Sequence, residues 1–311
     1  MPRPVRPVRP VRPIADAAPL KAVVTGGGSG FGLELARALA RRGHRVVVTV
    51  RRPPPPELRL PQALAEGGAR RDGGDPPPIA WLICDARDGE ATREAAARAH
   101  AHLRGVTVWV NNAASTVDPL AGDLGLRSAD SRGWREEVRV CCETNLLGAI
   151  WGTSAAAGVM VLPRDREGGG GHIFNVEGSG STGGPSFGHA VYGATKAAAS
   201  RFSQAADRSC AESPAHGLVR VHRLTPGMMR TPLLRRHVDA LEAQAGGGGS
   251  RVAALLWTLA LEPREAAEEA ASVIEAVARG RRAGGHVRCY VPPLLRRALA
   301  GAARFFSNLL Y

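Results

Sequence analysis

The sequence predicts an α/β fold: a doubly wound parallel sheet of about seven strands flanked by helices, in a single domain. Three observations point there. From Lys21 onward, short apolar runs alternate with longer amphipathic segments, the pattern of parallel βαβ units. The first run leads into a glycine-rich turn and straight on into a helical stretch. The chain has 311 residues, 44% of them hydrophobic, enough to bury one large core.

Apolar, β-branched runs place strands at 22–25, 45–50, 79–84, 106–110, 172–176, 219–224 and 287–291. Ala, Leu and Arg at helical spacing place helices at 31–42, 90–103, 145–161, 190–212 and 263–279. Pro- and Gly-rich stretches at 53–56, 67–78, 168–171 and 246–249 fall between these elements as loops. Residues 1–19 repeat Pro-Val-Arg three times and favour an extended tail, either a targeting remnant or a low-complexity extension. The expected organisation is therefore a tail at 1–19 and a nucleotide-binding domain at 20–293 with a substrate-loop region at 228–261. A basic amphipathic segment at 294–311 completes it.

The net charge of +13 is concentrated at the ends: residues 1–52 carry +9, residues 279–311 carry +7, and the middle sums to −3. No aromatic-interleaved basic stripe or nucleic-acid module accompanies it, so nucleic acid is not the expected partner. Apolar pairs interspersed with Arg296, Arg297 and Arg304 read instead as an interfacial helix, giving peripheral contact with an anionic membrane. The longest strongly apolar run, at 253–261, is far too short to span a bilayer. Five cysteines (Cys84, Cys141, Cys142, Cys210, Cys289) show no Cys-x-x-Cys spacing, and the sequence predicts buried thiols, with no disulfide framework and no metal site.

The turn Thr25-Gly26-Gly27-Gly28-Ser29-Gly30-Phe31-Gly32 lets backbone amides approach a pyrophosphate at a helix N-terminus. Arg51 and Arg52 follow the second strand, where an acid would favour NAD and arginines instead suit a 2′-phosphate. The expected cofactor is NADPH, with NADH as the alternative. Asp85, after the third strand, can accept a hydrogen bond from the adenine amine. Asn111, Asn112 and Ala113, after the fourth, lie along the expected cofactor edge. Only two of the 41 basic residues are lysine, and Lys196 stands one helical turn after Tyr192, one of three tyrosines. A compact ammonium there would stabilise tyrosinate and lower the phenol's pKa.

Glycine turn, Asp85, Asn111-Asn112-Ala113, Asn145, a serine cluster, Tyr192-x-x-x-Lys196 and Pro226-Gly227-x-x-x-Thr231 occur in the order of the short-chain dehydrogenase/reductase family. Over roughly residues 20–280 the chain resembles that family, which implies a Rossmann fold and NAD(P)H-dependent carbonyl chemistry. The resemblance implies that Tyr192 is the acid, that Lys196 also binds the nicotinamide ribose, and that Asn145 holds a water replenishing the proton. It further implies cofactor contacts from Pro226, Gly227 and Thr231. The carbonyl-polarising serine is either Ser179, by the family's usual spacing, or Ser181. Glu177-Gly178 replaces the usual Ser-Ser pair, and Ala114 replaces a usual glycine.

A closer likeness is to chlorophyll(ide) b reductases of plants and green algae. It is carried by Trp109-Val-Asn-Asn-Ala113, Thr144-Asn-Leu-Leu-Gly148, Gly171-His-Ile-Phe-Asn175-Val-Glu-Gly-Ser-Gly-Ser181, Val191-Tyr-Gly-Ala-Thr-Lys196 and Thr225-Pro-Gly-Met-Met229. That group also prefers Ser181 and an acid-glycine step. The likeness implies reduction of the C7 formyl group of chlorophyll b in its degradation, and a chloroplast location in the stroma or at the thylakoid membrane. It also implies assembly with itself or a related reductase. The alternatives are another apolar carbonyl substrate (steroid, retinoid, quinone or acyl), acted on in the cytoplasm, or a non-catalytic nucleotide-binding partner. For a large apolar substrate, Leu233, Leu234, Leu255, Leu256 and Trp257 are the expected pocket residues.

Overall fold

The computed structural model describes residues 13–54, 79–117, 132–162, 170–183, 190–213, 218–244 and 250–289. Seven strands, β1 (Lys21–Thr25), β2 (Arg45–Val50), β3 (Ile79–Ile83), β4 (Val108–Asn111), β5 (Gly171–Val176), β6 (Val219–Thr225) and β7 (His286–Arg288), form one sheet. Its order is β3-β2-β1-β4-β5-β6-β7, and every pairing is parallel. The chain reverses its direction of winding between β1 and β4, so the strand ends diverge there and leave a crevice. The strand at 287–291 was expected to run longer; it starts at His286 and pairs through Arg288, and Tyr290 and Val291 lie outside the described residues. The segment at 294–311 lies outside them as well.

The strands read as continuous apolar runs because both faces of the sheet are covered. Alternation along each strand divides the core in two. Val24, Val46, Val48, Val110 and Phe174 pack with α1 (Gly30–Arg41) and α8 (Pro263–Ala278) on one face. Val23, Val47, Trp109, Ile173 and Val221 pack with α2 (Gly89–Leu103) and α4 (Gly148–Met160) on the other. Local chemistry sets the helix ends. Asp88 caps α2 by accepting from the Glu90 and Ala91 amides at 2.9 and 3.0 Å, and Pro263 opens α8 where a missing N–H costs nothing.

The helix expected over 145–161 is the second half of a longer one. It starts as α3 (Arg132–Cys142), passes through a π-helical turn at Glu143–Leu147, and continues as α4. The expected substrate loop at 228–261 folds into α6 (Pro232–Gln244) and α7 (Arg251–Leu259), because Leu234, Val238 and Leu241 recur at helical spacing and bury one another against Ala253 and Ala260. The remaining helix, α5 (Ala190–Glu212), follows β5. Residues 13–19, expected in the tail, are tied to α8: the Ile14 amide donates to Ala278 O at 3.0 Å, and the buried Arg279 guanidinium donates to the carbonyls of Ala15 and Ala18. A buried guanidinium needs such acceptors. Residues 1–12 lie outside the described residues.

A buried polar seam crosses the second face. Asn111 Oδ1 accepts from Trp109 Nε1 at 2.7 Å, Asn111 Nδ2 donates to Asn175 Oδ1 at 2.7 Å, and Asn175 Nδ2 donates to Ser203 Oγ at 2.8 Å. Asn111, expected along the cofactor edge, therefore turns its side chain into the core. Gly152 of α4 lies over it, where an added Cβ would stand 2.0 Å from Asn111 Oδ1. Because the seam cannot yield without losing hydrogen bonds, Gly152→Ala is expected to lower stability by about 1–3 kcal/mol, seen as a lower urea midpoint at unchanged slope.

Candidate active site

The glycine turn sits at the C-terminal end of β1, clamped to the end of β4. Thr25 Oγ1 accepts from the Asn112 and Ala113 amides at 3.0 and 3.1 Å, and Asn112 Nδ2 donates to Thr25 O and Gly26 O at 2.9 and 3.2 Å. Gly26 has φ +65, and a Cβ there would stand 2.8 Å from Ala113 Cα. With Gly27, Gly28, Ser29 and Gly32, it brings bare backbone to the N-terminus of α1, whose first amides face the crevice; this cradle fits a pyrophosphate. Phe31 contributes only backbone there, since its side chain is buried in the core. Thr231, which accepts from the Leu234 amide at the start of α6, packs beside Gly30, with its Cγ2 3.4 Å from where a Cβ would be. Gly227 has φ +95, a conformation suited to glycine between Pro226 and the α6–α7 pair, termed the lid for its place in the expected substrate-loop region. Ala114, in place of a usual glycine, is exposed and obstructs nothing.

Arg51 and Arg52 are exposed just beyond β2. Arg87 grips the Asp85 carboxylate through Nε and Nη2, at 3.0 and 2.7 Å from Oδ2, and the Asp85 side chain stays 32% exposed. The charge-assisted bonds hold the Asp85 carboxyl below the usual range.

Tyr192 and Lys196 lie in the first turns of α5, 8% and 5% exposed. Lys196 Nζ donates to Val176 O at 3.0 Å and sits 5.7 Å from the centroid of the Tyr192 ring. Burial pushes Lys196 down to about 8 and Tyr192 well above the usual phenol range. Desolvation is the first cause of both shifts. Tyr192 consequently keeps its proton through neutral pH, the state of an acid.

The end of β5 is shaped around that hydroxyl. A Cβ on Gly178 would stand 2.3 Å from Tyr192 Oη, and one on Gly180 (φ +86) would stand 2.5 Å from Gly193 Cα, so the turn presses directly on α5. Ser181 folds back within this turn: its Oγ accepts from the Gly178 amide at 3.0 Å, and the side chain is buried. Ser179 is exposed.

Asn145 projects from the π-helical turn, fully engaged. Its Oδ1 accepts from the Ser115 amide at 2.8 Å, and its Nδ2 donates to Ser115 O at 2.9 Å and Thr195 Oγ1 at 3.0 Å. Thr195 Oγ1 in turn donates to Tyr192 O at 2.7 Å, which links Asn145 to the helix of the tyrosine. Cys141, one turn before Asn145, packs against Val117 and Tyr192, and burial pushes its thiol up to about 11. Ser115, Cys141 and Thr195 were not anticipated from sequence; only the spacing of Cys141 and Asn145, and the place of Thr195 inside Tyr192-x-x-x-Lys196, signalled them. Of the expected pocket residues, Leu233 packs near Tyr192, whereas Leu234, Leu256 and Trp257 close the lid's own cluster.

Cradle, tyrosine, lysine and asparagine thus converge at one crevice on the C-terminal edge of a parallel sheet. The family model described as short chain dehydrogenase matches residues 21–242. The chain belongs to the short-chain dehydrogenase/reductase family. The family and the glycine cradle support a nicotinamide nucleotide as cofactor. The chain is 30% identical over 229 residues to chlorophyll(ide) b reductase NOL of Arabidopsis thaliana, covering 73% of the chain and 59% of the relative. It is 31% identical over 227 residues to the probable chlorophyll(ide) b reductase NYC1 of the same plant, covering 70% and 42%. The chain therefore spans about three fifths or less of these relatives. It is also 36% identical to the NADP-dependent 3-hydroxy acid dehydrogenase YdfG of Salmonella typhi over 210 residues, covering 67% of the chain and 71% of the relative. Solved structures share the fold. A short-chain dehydrogenase from Burkholderia cenocepacia in complex with NADP matches with TM-score 0.58 at 23% identity, covering 93% of this chain and 94% of that one. Actinorhodin polyketide ketoreductase with NADPH matches with TM-score 0.62 at 24% identity, covering 87% and 97%.

A methyl group at Gly178 would displace the Tyr192 hydroxyl. Gly178→Ala is expected to cut turnover by about 100-fold while leaving the circular dichroism spectrum unchanged.

Proposed function

We propose that this reductase uses NADPH to reduce the C7 formyl group of chlorophyll(ide) b to hydroxymethyl, within chlorophyll b degradation. The observation that carries this reading is the Glu177-Gly178 step, the feature by which the sequence resembles the pigment enzymes. It seats the Tyr192 hydroxyl where a usual serine would collide with it, and leaves Ser181 to supply the hydroxyl instead. The likeness to NOL and NYC1 supports the same substrate.

A reduced nicotinamide nucleotide held at the glycine cradle would supply the hydride for the formyl carbon. Tyr192 Oη delivers the proton to its oxygen, and the hydroxyl of Ser181, buried beside Gly178, polarises that oxygen in preference to exposed Ser179. Lys196 holds the ribose and supplies positive charge next to the phenol as its proton leaves. Asn145 orders the route by which that proton returns. Val117, Val191 and Leu233 present apolar surface around Tyr192, suited to a macrocycle edge. Exposed Arg51 and Arg52 support the choice of NADPH, since guanidinium groups suit a 2′-phosphate.

The names of the plant relatives support a chloroplast location. Among the described residues no helix is long and apolar enough to cross a membrane, and peripheral attachment would rest on the basic segment at 294–311. Self-association or pairing with a related reductase belongs to the same reading.

Incubation of the purified protein with NADPH and chlorophyll b should yield the 7-hydroxymethyl product. Rapid turnover of simple aldehydes without any pigment product would assign a different apolar carbonyl. Tyr192→Phe should lose about 100- to 10,000-fold in kcat, and Lys196→Arg should fail despite keeping the charge. Ser181→Ala should impair turnover far more than Ser179→Ala. Replacing Arg51 and Arg52 together by Ala should raise KM for NADPH roughly tenfold or more, in line with the loss of charge-assisted phosphate contacts, and leave KM for NADH unchanged.

A further inference from the structure

Glu177 lies at the end of β5 with its side chain 4% exposed, next to Val176, whose carbonyl receives Lys196 Nζ. Its Oε2 accepts from Thr225 Oγ1 at 2.8 Å and lies 2.9 Å from His286 Nε2. The Thr225 hydroxyl spends its proton on the carboxylate, so His286 Nε2, also 3.0 Å from Thr225 Oγ1, carries a hydrogen of its own toward this pair of oxygens. Glu177 Oε1 is buried with no hydrogen-bond partner, and Arg223 Nη1 is 3.7 Å away. The ion-pair partners of Glu177 are Arg223 on β6, which reaches Ser200 of α5, and His286 on β7; Lys196, held on the neighbouring carbonyl, also faces Tyr192 on α5 and Cys141 on α3. Burial lowers the His286 pKa, so the ring supports the carboxylate as a neutral donor near pH 7.

A buried carboxylate is costly unless another charge uses it. We propose that Glu177 is a buried counter-charge of Lys196, a positioning residue that favours the ammonium, and that Thr225 and His286 fix the place of its carboxylate for that task. Consistent with this, desolvation favours the neutral form of Lys196, and Cys141 and then Glu177 act against it. Arg223, which also donates to Ser200 Oγ, shares the same carboxylate from 3.7 Å. The inference rests on reading Tyr192 and Lys196 as the reacting pair. It adds a link from the lysine to the end of β6, where Thr225 precedes Pro226-Gly227.

The chain's two lysines make the test direct. With lysine labelled at 13Cε in the full-length protein, Lys196 and Lys21 give two signals, and Lys21, bonded to Arg104 O near the surface, serves as the internal reference. The Lys196 midpoint should fall by about one pH unit in Glu177→Gln, recover in Glu177→Asp, and leave Lys21 unmoved. A lysine whose charged form is required loses activity as pH rises through its pKa, so the alkaline limb of kcat/KM should move down in step. His286→Phe should lower the Lys196 midpoint in the same direction and His286→Gln should not, which keeps the test decisive if Glu177→Gln folds poorly. An unchanged Lys196 midpoint alongside a lower Tm would overturn the proposal. A shifted midpoint in a protein that reduces no carbonyl would uphold it and overturn the proposed function.

Discussion

The site depends on how closely α5 approaches the end of β5. Gly178 and Gly180 leave no side chain between the strand end and the helix, and the gap is too narrow to admit one. That contact excludes water from Tyr192 and Lys196, and exclusion of water sets their chemistry: the phenol holds its proton, and the ammonium is only marginally favoured. Even the choice of serine follows. With glycine at 178, a hydroxyl can reach this corner only from a residue that folds back, as Ser181 does.

Much of this was legible in the sequence. Strands between two helical layers are apolar along their length, so β1, β2 and β5 could be placed to within a residue or so, and the glycine turn declared the crevice at β1. What escaped the sequence depends on neighbours distant in the chain. Asn111 and Asn112 are indistinguishable as letters, yet the pleat sends one into the core and the other onto the glycine turn. The engagement of Asp85 by Arg87 is a side-chain choice. The balance of desolvation against charge at Lys196 requires knowing what covers it. The helices of the lid were visible in the spacing of Leu234, Val238 and Leu241, but that spacing looks the same whether it faces a substrate or its own partner helix.

The arginine-rich composition clarifies the use of lysine. Surface arginines pair along helices, as Arg93 does with Glu90 and Arg139 with Glu136 and Glu143, and such exposed pairs contribute little to stability. Arg279 shows what a buried guanidinium demands: it takes Glu275 and two carbonyls of residues 13–19 to satisfy it. Such a fork cannot lose its proton. At position 196, buried beside Tyr192, the chain places an amine, whose charge the surroundings can still adjust.

The π-helical turn at Glu143–Leu147 has a consequence for the whole wall of the crevice. An extra residue within one turn rotates everything after it by roughly 100° relative to what came before. Cys141 and Asn145 can therefore face Ser115 and α5, while Gly152, two turns on, meets the sheet at Asn111. A straight helix could present either surface, not both. Shortening this segment by a single residue would yield a more regular helix and a misaligned enzyme.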